Sequence, residues 1–498
     1  MFLGGKVEEV STQEGGGGVR IFEGIFVRLR SVSQALAWVF CASACHIAGT
    51  CKVGDDEGCP EGTYCQGKKG AKAGDDGVCT KSRAPGSVGF SLSGFAPLEA
   101  KFGEVLRIQG ENFSTLPSEN SVTLGKVEVP AAHILSATPT QLEVKVPKDM
   151  RCTGLIQVTV GERTATSTTA FTYMPTATVS TLAGGTPGTG QTSTQFHSLG
   201  DLSVDTQGTL YVVDTGNYCI HVVTPAGDIS VFAGGSGSAF LDHAERSNAR
   251  FMWPLGISID AQTFYVTDAG NSNRIRKVTE GVSTLAGAGT ANLQNGMGAD
   301  AHFNAPDGIT IDLEGTLYVA DSGNNCIRKV RPDGLVSTFV GNGTPGFADG
   351  TADIARFSHP GGVAIDDRTG TLYVADTGNN RIRKVTPEGV VTTLAGSGAA
   401  DFLDGPRAQA GFNSPRGMVV DKRNDCLYVA DGNNNRIRMV TPNGVVSTLA
   451  GGGVSGGYID AIGDNARFHF PLGIAMDAQG TLYVTDKNNH RIRKITLE

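Results

Sequence analysis

Thr371-Leu-Tyr-Val-Ala-Asp-Thr-Gly-Asn-Asn-Arg-Ile-Arg-Lys-Val385 decides the fold of this 498-residue chain, because the stretch recurs. Aligned on the Asp that closes Tyr-Val-x-Asp, six copies place Asp214, Asp268, Asp321, Asp376, Asp431 and Asp486 at intervals of 54, 53, 55, 55 and 55 residues. A period that long belongs to repeat architectures, in which no unit can bury its apolar face alone. Around the quoted stretch, Gly362-Val-Ala-Ile-Asp366 precedes the first turn and Val390-Val-Thr-Thr-Leu-Ala-Gly396 follows Pro387-Glu-Gly389. Each unit therefore reads as four short strands separated by Gly, Pro and Asn turns, the pattern of a propeller blade.

The ends of the array predict how it closes. The sixth copy stops after its third strand, Arg491-Ile-Arg-Lys-Ile495, while an unattached fourth strand, Val179-Ser-Thr-Leu-Ala-Gly184, lies ahead of the first copy. Pairing the two makes six blades and leaves no half-sheet with an open edge. Asn379-Asn-Arg-Ile-Arg-Lys-Val385, Asn434-Asn-Arg-Ile-Arg438 and Asn489-His-Arg-Ile-Arg-Lys-Ile495 resemble NHL repeats, and the resemblance spans roughly residues 177 to 498. It implies an all-β, six-bladed NHL propeller over 175–498.

Residues 86–174 differ in texture. Val105-Leu-Arg-Ile-Gln109, Ser121-Val-Thr-Leu-Gly125, Gln141-Leu-Glu-Val-Lys145 and Gly154-Leu-Ile-Gln-Val-Thr-Val160 alternate apolar and polar residues at regular spacing, as an immunoglobulin-like β-sandwich requires. The turn at Gly110-Glu-Asn-Phe113 and the closing Ala170-Phe-Thr-Tyr173 resemble the IPT/TIG family, which implies a spacer or recognition domain.

Ahead of it, six of the ten cysteines crowd one segment: Cys41, Cys45, Cys51, Cys59, Cys65 and Cys79. Dense cysteines without an apolar core point to disulfides and an oxidising compartment. A zinc site competes, but it wants close Cys-x-x-Cys pairs, and Cys59 to Cys65 is wider than that. Residues 45–85 read as a disulfide-rich stalk in which Cys51, Cys59, Cys65 and Cys79 are candidates for two bridges, with the pairing open. Residues 1–44 read as an N-terminal extension and export segment: Arg28 and Arg30 precede Ser31–Ala44, a short apolar run of 14 residues that ends in small ones. Ala42-Ser-Ala-Cys45 resembles a bacterial lipobox, which implies acylation of Cys45; cleavage after Ala44 is the alternative. The expected location is outer membrane, cell surface or secreted, with the membrane reached through the lipid anchor.

Charge narrows the partners. Residues 177–498 carry 24 Lys and Arg against 31 Asp and Glu, a difference of −7, which argues against tracking nucleic-acid phosphates. The repeated Asp residues read as turn acceptors present in every blade. The Arg pairs of the third strand, such as Arg381 and Arg383, face one side of the blade and are expected to stack or pair with the neighbouring blade, while Cys219 and Cys326 take the first Arg position in copies one and three. Only the connections that enter the first strand suggest chemistry. Gln195-Phe-His-Ser198, Ala355-Arg-Phe-Ser-His-Pro360 and Ala466-Arg-Phe-His-Phe-Pro471 bring His197, His359 and His469 towards one opening, where three imidazoles would bind a metal. Lactonases, and a lyase acting on hydroxyglycine peptides, use similar propellers with a metal in the channel. No nucleophile elbow, phosphate loop or His-Glu-x-x-His pattern is present, and no cofactor is called for. The expectation is a binding or scaffold protein whose propeller face meets a protein or glycan, with the metal-dependent enzyme as the alternative.

Overall fold

Alternation of apolar and polar residues with Gly-containing turns yields strands throughout the described residues. The computed structural model describes three strands, Thr50–Lys52, Tyr64–Gln66 and Asp76–Thr80, and then residues 89–498 apart from 126, 149–152, 186–194, 236 and 454. The three early strands form one antiparallel sheet with Asp76–Thr80 in the middle, and its register sets Cys65 opposite Cys79 and Cys51 opposite Gly77. They lie in a compact unit of their own that ends at Ser87; everything from Val88 to Glu498 forms the second unit. Cys45 and Cys59 lie outside the described residues.

The second unit begins with two sheets packed face to face. One orders Ser91–Ala96, Val105–Glu111, Gln141–Lys145 and Ile134–Ala137; the other orders Glu99–Ala100, Arg163–Tyr173, Thr153–Val160, Asn120–Leu124 and Val127–Glu128. Period-two alternation sends Leu106, Ile108, Leu142 and Val144 from the first sheet, and Val122, Leu124, Ile156, Val158 and Phe171 from the second, into a single core.

Six further sheets follow. The first holds Leu199–Val204, Leu210–Asp214, Cys219–Val223 and Ile229–Gly234; the second Pro254–Asp260, Thr263–Asp268, Arg274–Val278 and Val282–Ala286. The third is Pro306–Ile311, Leu317–Asp321, Cys326–Val330 and Leu335–Val340; the fourth Val363–Asp366, Thr371–Asp376, Arg381–Val385 and Val391–Ala395. The fifth is Pro415–Asp421, Cys426–Asp431, Arg436–Val440 and Val445–Ala450, and the third and fifth each gain a two-residue edge strand, Gly296–Met297 and Gly405–Pro406. The sixth joins Pro471–Met476, Leu482–Asp486 and Arg491–Leu497 to the distant Ala177–Gly184, with Val179 opposite Ile495. The first strand of each sheet packs against that of the next, and the sixth returns to the first, so the sheets form a closed cycle.

One residue per connection anchors each sheet. Phe196, Phe251, Phe303, Phe357, Phe412 and Phe468 sit at the same place before the six inner strands, and all are fully buried. Burying such a ring stabilises by roughly 1.5–3 kcal/mol, which fixes where each connection enters the cycle.

Candidate functional site

The carboxylates of the repeat hold the connections down. Asp376 accepts from the backbone N–H of Ser358 (2.8 Å) and from the Asn379 side chain (2.9 Å), and equivalent bonds join Asn304 and Asn324 to Asp321, Asn413 and Asn434 to Asp431, and His469 and Asn489 to Asp486. All six of these Asp side chains are buried. The Asp residues after the inner strand close turns: Asp205 accepts from the N–H of Gln207 and Thr209, and Asp477 from that of Gln479 and Thr481.

The Arg at the third position of the third strand is fully buried in five of the sheets: Arg276, Arg328, Arg383, Arg438 and Arg493. Its partners lie in its own sheet and in the connection ahead of it, which corrects the expectation of a neighbouring blade. Arg383 donates through Nη1 to Asp376 (2.7 Å) and the Arg356 carbonyl, and through Nη2 to Asp349 (2.6 Å) and the Ala348 carbonyl. Its guanidinium carbon lies 5.1 Å from the Phe357 ring centre and 4.8 Å from that of Phe347, and the neighbouring Arg381 stacks on Phe347 at 3.9 Å. The same stack pairs Arg274 with Phe240, Arg436 with Phe402 and Arg491 with Tyr458. Where Cys326 replaces the stacking Arg, Leu293 stands in the place of the aromatic ring.

The three candidate histidines do not assemble. Among the described residues no three His, Cys, Asp or Glu side chains come together as a metal site. The cause is the order of the sheets: His197 enters the first sheet, His469 the sixth and His359 the fourth, which lies across the cycle from the first. The His197 and His469 backbone N–H groups are tied to Asp214 and Asp486, and that of His359 to Asn325, while the His197 ring is packed against Gly216. Cys219 and Cys326 are free and buried, with burial pushing both thiols up and so keeping them unreactive; Cys426 is disulfide-bonded.

The six inner strands enclose a channel of about 430 Å³ lined by Ile257, Ile309, Ile365, Val420 and Met476 among others, with Asp201 at one end. That end breaks the pattern. Pro254-Leu-Gly256, Pro306-Asp-Gly308, Pro360-Gly-Gly362, Pro415-Arg-Gly417 and Pro471-Leu-Gly473 open five inner strands, whereas the first opens Leu199-Gly-Asp201. A Cβ on Gly473 would lie 2.6 Å from Asp201 Oδ1, so the throat accepts one carboxyl only because its neighbour is glycine. Burial first, and then the nearby Asp307, push Asp201 up to about 7. Asp307 is ion-paired across the fourth sheet with Arg416 Nη1 at 2.7 Å, and Lys487, held below its ordinary range first by burial and then by Arg416, lies beside them. Inspection for histidines passed over these four residues. Only Asp201 departs from Pro-x-Gly; Asp307 and Arg416 occupy its variable middle position, and Lys487 follows the repeat Asp486.

The SMP-30/Gluconolactonase/LRE-like region family matches residues 116–344, a span that starts inside the two-sheet domain and ends after the third cyclic sheet, and NHL repeats match 357–385, 412–438 and 468–495. Together with the closed cycle of sheets, these matches describe an NHL/SGL repeat β-propeller protein. Among curated relatives, NHL repeat-containing protein 2 of Gallus gallus is 29% identical over 339 residues, covering 60% of this chain and 46% of that protein. Protein SUPPRESSOR OF QUENCHING 1, chloroplastic, of Arabidopsis thaliana is 29% identical over 319 residues, 60% of this chain and 30% of its own length. The chain thus spans less than half of either relative. A crystal structure of a protein of unknown function from Bacteroides thetaiotaomicron superposes with a TM-score of 0.51 at 19% identity, covering 83% of this chain and 99% of that one, a likeness of fold.

Proposed function

We propose that this protein is an exported, cell-surface binding or scaffold protein whose six-bladed propeller presents its face and inter-blade connections to a protein or glycan partner. The cysteine-rich stalk and an IPT/TIG-type immunoglobulin-like sandwich serve it as spacers, and Cys45 as a lipid anchor. One observation carries the reading: four equivalent connections expose an aromatic ring, Phe240 at 39%, Phe347 at 47%, Phe402 at 42% and Tyr458 at 43%, each held rigid by an Arg against its other face. Rings already fixed in place lose little entropy on binding, and repetition offers several contacts at once. The full-length protein is expected to retain a glycan or surface protein on an array, and Phe347→Ser with Phe402→Ser and Tyr458→Ser to lose it while the fold persists by circular dichroism. Retention unchanged by the triple substitution would refute the face as the contact surface.

A second reading, an enzyme with its site at the channel mouth, is favoured by the departure from repeat symmetry at Asp201, Asp307, Arg416 and Lys487. It expects turnover of a lactone panel that Asp201→Asn abolishes. Absence of turnover by the parent protein in that panel would remove it.

A further inference from the structure

The charges at the throat do not balance. Arg416 is 31% exposed and Asp307 14%, and the single ion pair between them leaves Lys487 without a carboxylate in salt-bridge reach among the described residues, its ammonium lying 5.7 Å from the Phe470 ring centre. Only Nη1 of Arg416 bonds Asp307; its Nε is buried without an acceptor. Asp201 does not cancel the surplus, because burial and the nearness of Asp307 keep it protonated for part of the time at neutral pH. Burial pushes Asp307 up, against the pull of Arg416 and Lys487. Two of the six equivalent positions around this mouth, Gly200 and Gly361, carry no side chain. A Cβ at Gly361 would lie 2.6 Å from Thr377 Oγ1, 3.5 Å from Arg416 Cγ and 3.6 Å from Asp307 Oδ2, so only glycine lets the backbone pass this close to the pair.

We propose that the channel mouth between Arg416 and Lys487 is a binding site for one small anion, a carboxylate or phosphate group, with Asp307 as the internal carboxylate against which that anion competes. A guanidinium and an ammonium that are partly desolvated gain more from an anion than they would on an open surface, and Arg416 offers free donors in a plane suited to two oxygens. The site is distinct from the aromatic face and does not rest on the identity of the partner bound there.

Calorimetric titration of the full chain with acetate, and separately with inorganic phosphate, at constant ionic strength tests this. Saturable binding of one equivalent of either is expected, the better ligand telling a carboxylate site from a phosphate site. Lys487→Met is expected to weaken binding by roughly tenfold or more, and Asp307→Asn to strengthen it by a comparable factor, since one removes an attracting and the other a repelling charge. Opposite signs separate a binding role from a structural one, because damage to the fold would weaken both variants. No binding by either the parent or Asp307→Asn, or binding unaltered by Lys487→Met, overturns the proposal.

Discussion

Blade four and blade one perform the same task with different chemistry. In blade four Arg383 is buried between two rings and reaches four acceptors, two of them carboxylates. In blade one His221 stands in its place, 3.4 Å from Asp214 and 3.4 Å from Cys219, with Phe196 edge-on at 5.4 Å. Both Asp376 and Asp214 nonetheless bind the backbone of the entering connection, Ser358 in one case and His197 with Ser198 in the other. The carboxylate is the requirement; the guanidinium is an addition that ties in a second stretch of the connection. Cys219 and Asp214 both approach the same nitrogen of His221, so the three residues do not form a proton relay even though a Cys, a His and an Asp meet there.

That difference has a large expected consequence. Asp376→Ala strips a buried guanidinium of the fully buried one of its two carboxylates and is expected to cost about 3–5 kcal/mol in urea unfolding, whereas Asp214→Ala is expected to cost about 2 kcal/mol because blade one holds no permanently charged guanidinium. Equal losses would show that blade one depends on its charge pair after all. At the throat the two blades differ again, Asp201 in blade one against Gly362 in blade four. The folded Asp201 keeps a proton that the unfolded chain gives up, so it subtracts stability as pH rises from the ordinary carboxylate range to about 7 and by a constant amount above that. Asp201→Asn is therefore expected to be more stable than the parent by about 1–3 kcal/mol at pH 8 and nearly equal at pH 4, read from thermal unfolding across that range.

A smaller effect separates the links between blades. Asn380 sits in left-handed backbone at the end of its turn and accepts from the Ser414 N–H at 2.9 Å, as Asn273, Asn325 and Asn435 do for Ala305, His359 and Phe470. Tyr218 holds that place in blade one, and the Trp253 N–H turns instead to Asp268. Asn380→Ala is expected to cost about 1–2 kcal/mol and to speed amide exchange at Ser414, while Tyr218→Ala leaves Trp253 protected. The smallest test converts blade three towards blade four: Leu293→Phe and Cys326→Arg together are expected to show a favourable coupling of about 0.5–1 kcal/mol in a double-mutant cycle. No coupling would mean that the stacked pairs contribute only through their other contacts.

The period of Asp214 to Asp486 and the stray strand before it made the cyclic sheets and their closure legible, because hydrophobic alternation and turn residues are local signals. The partners of Arg383 were not legible, since two Arg residues at alternate positions show only that both face one side of the blade, and Asp349 reaches them from a distant connection. His197, His359 and His469 were placed at separate blades by their sequence, but not shown to stay apart. Their shared motif reports equivalence by rotation, and rotation carries equivalent residues apart. The throat was hidden for the opposite reason: Asp201, Asp307, Arg416 and Lys487 share no motif and meet only because four different blades converge.

The pairing of Ala177–Gly184 with Arg491–Leu497 also determines how the ring bears load. Thr176 and Glu498 exchange backbone hydrogen bonds of 2.8 and 2.9 Å, and the chain reaches this seam directly from the sandwich strand that ends at Tyr173. Tension transmitted along the chain from that domain therefore arrives first at the one strand of the ring contributed from outside the sequence order, where the ladder to Arg491–Leu497 and the buried Ala177 and Val179 take the load ahead of the other five blades.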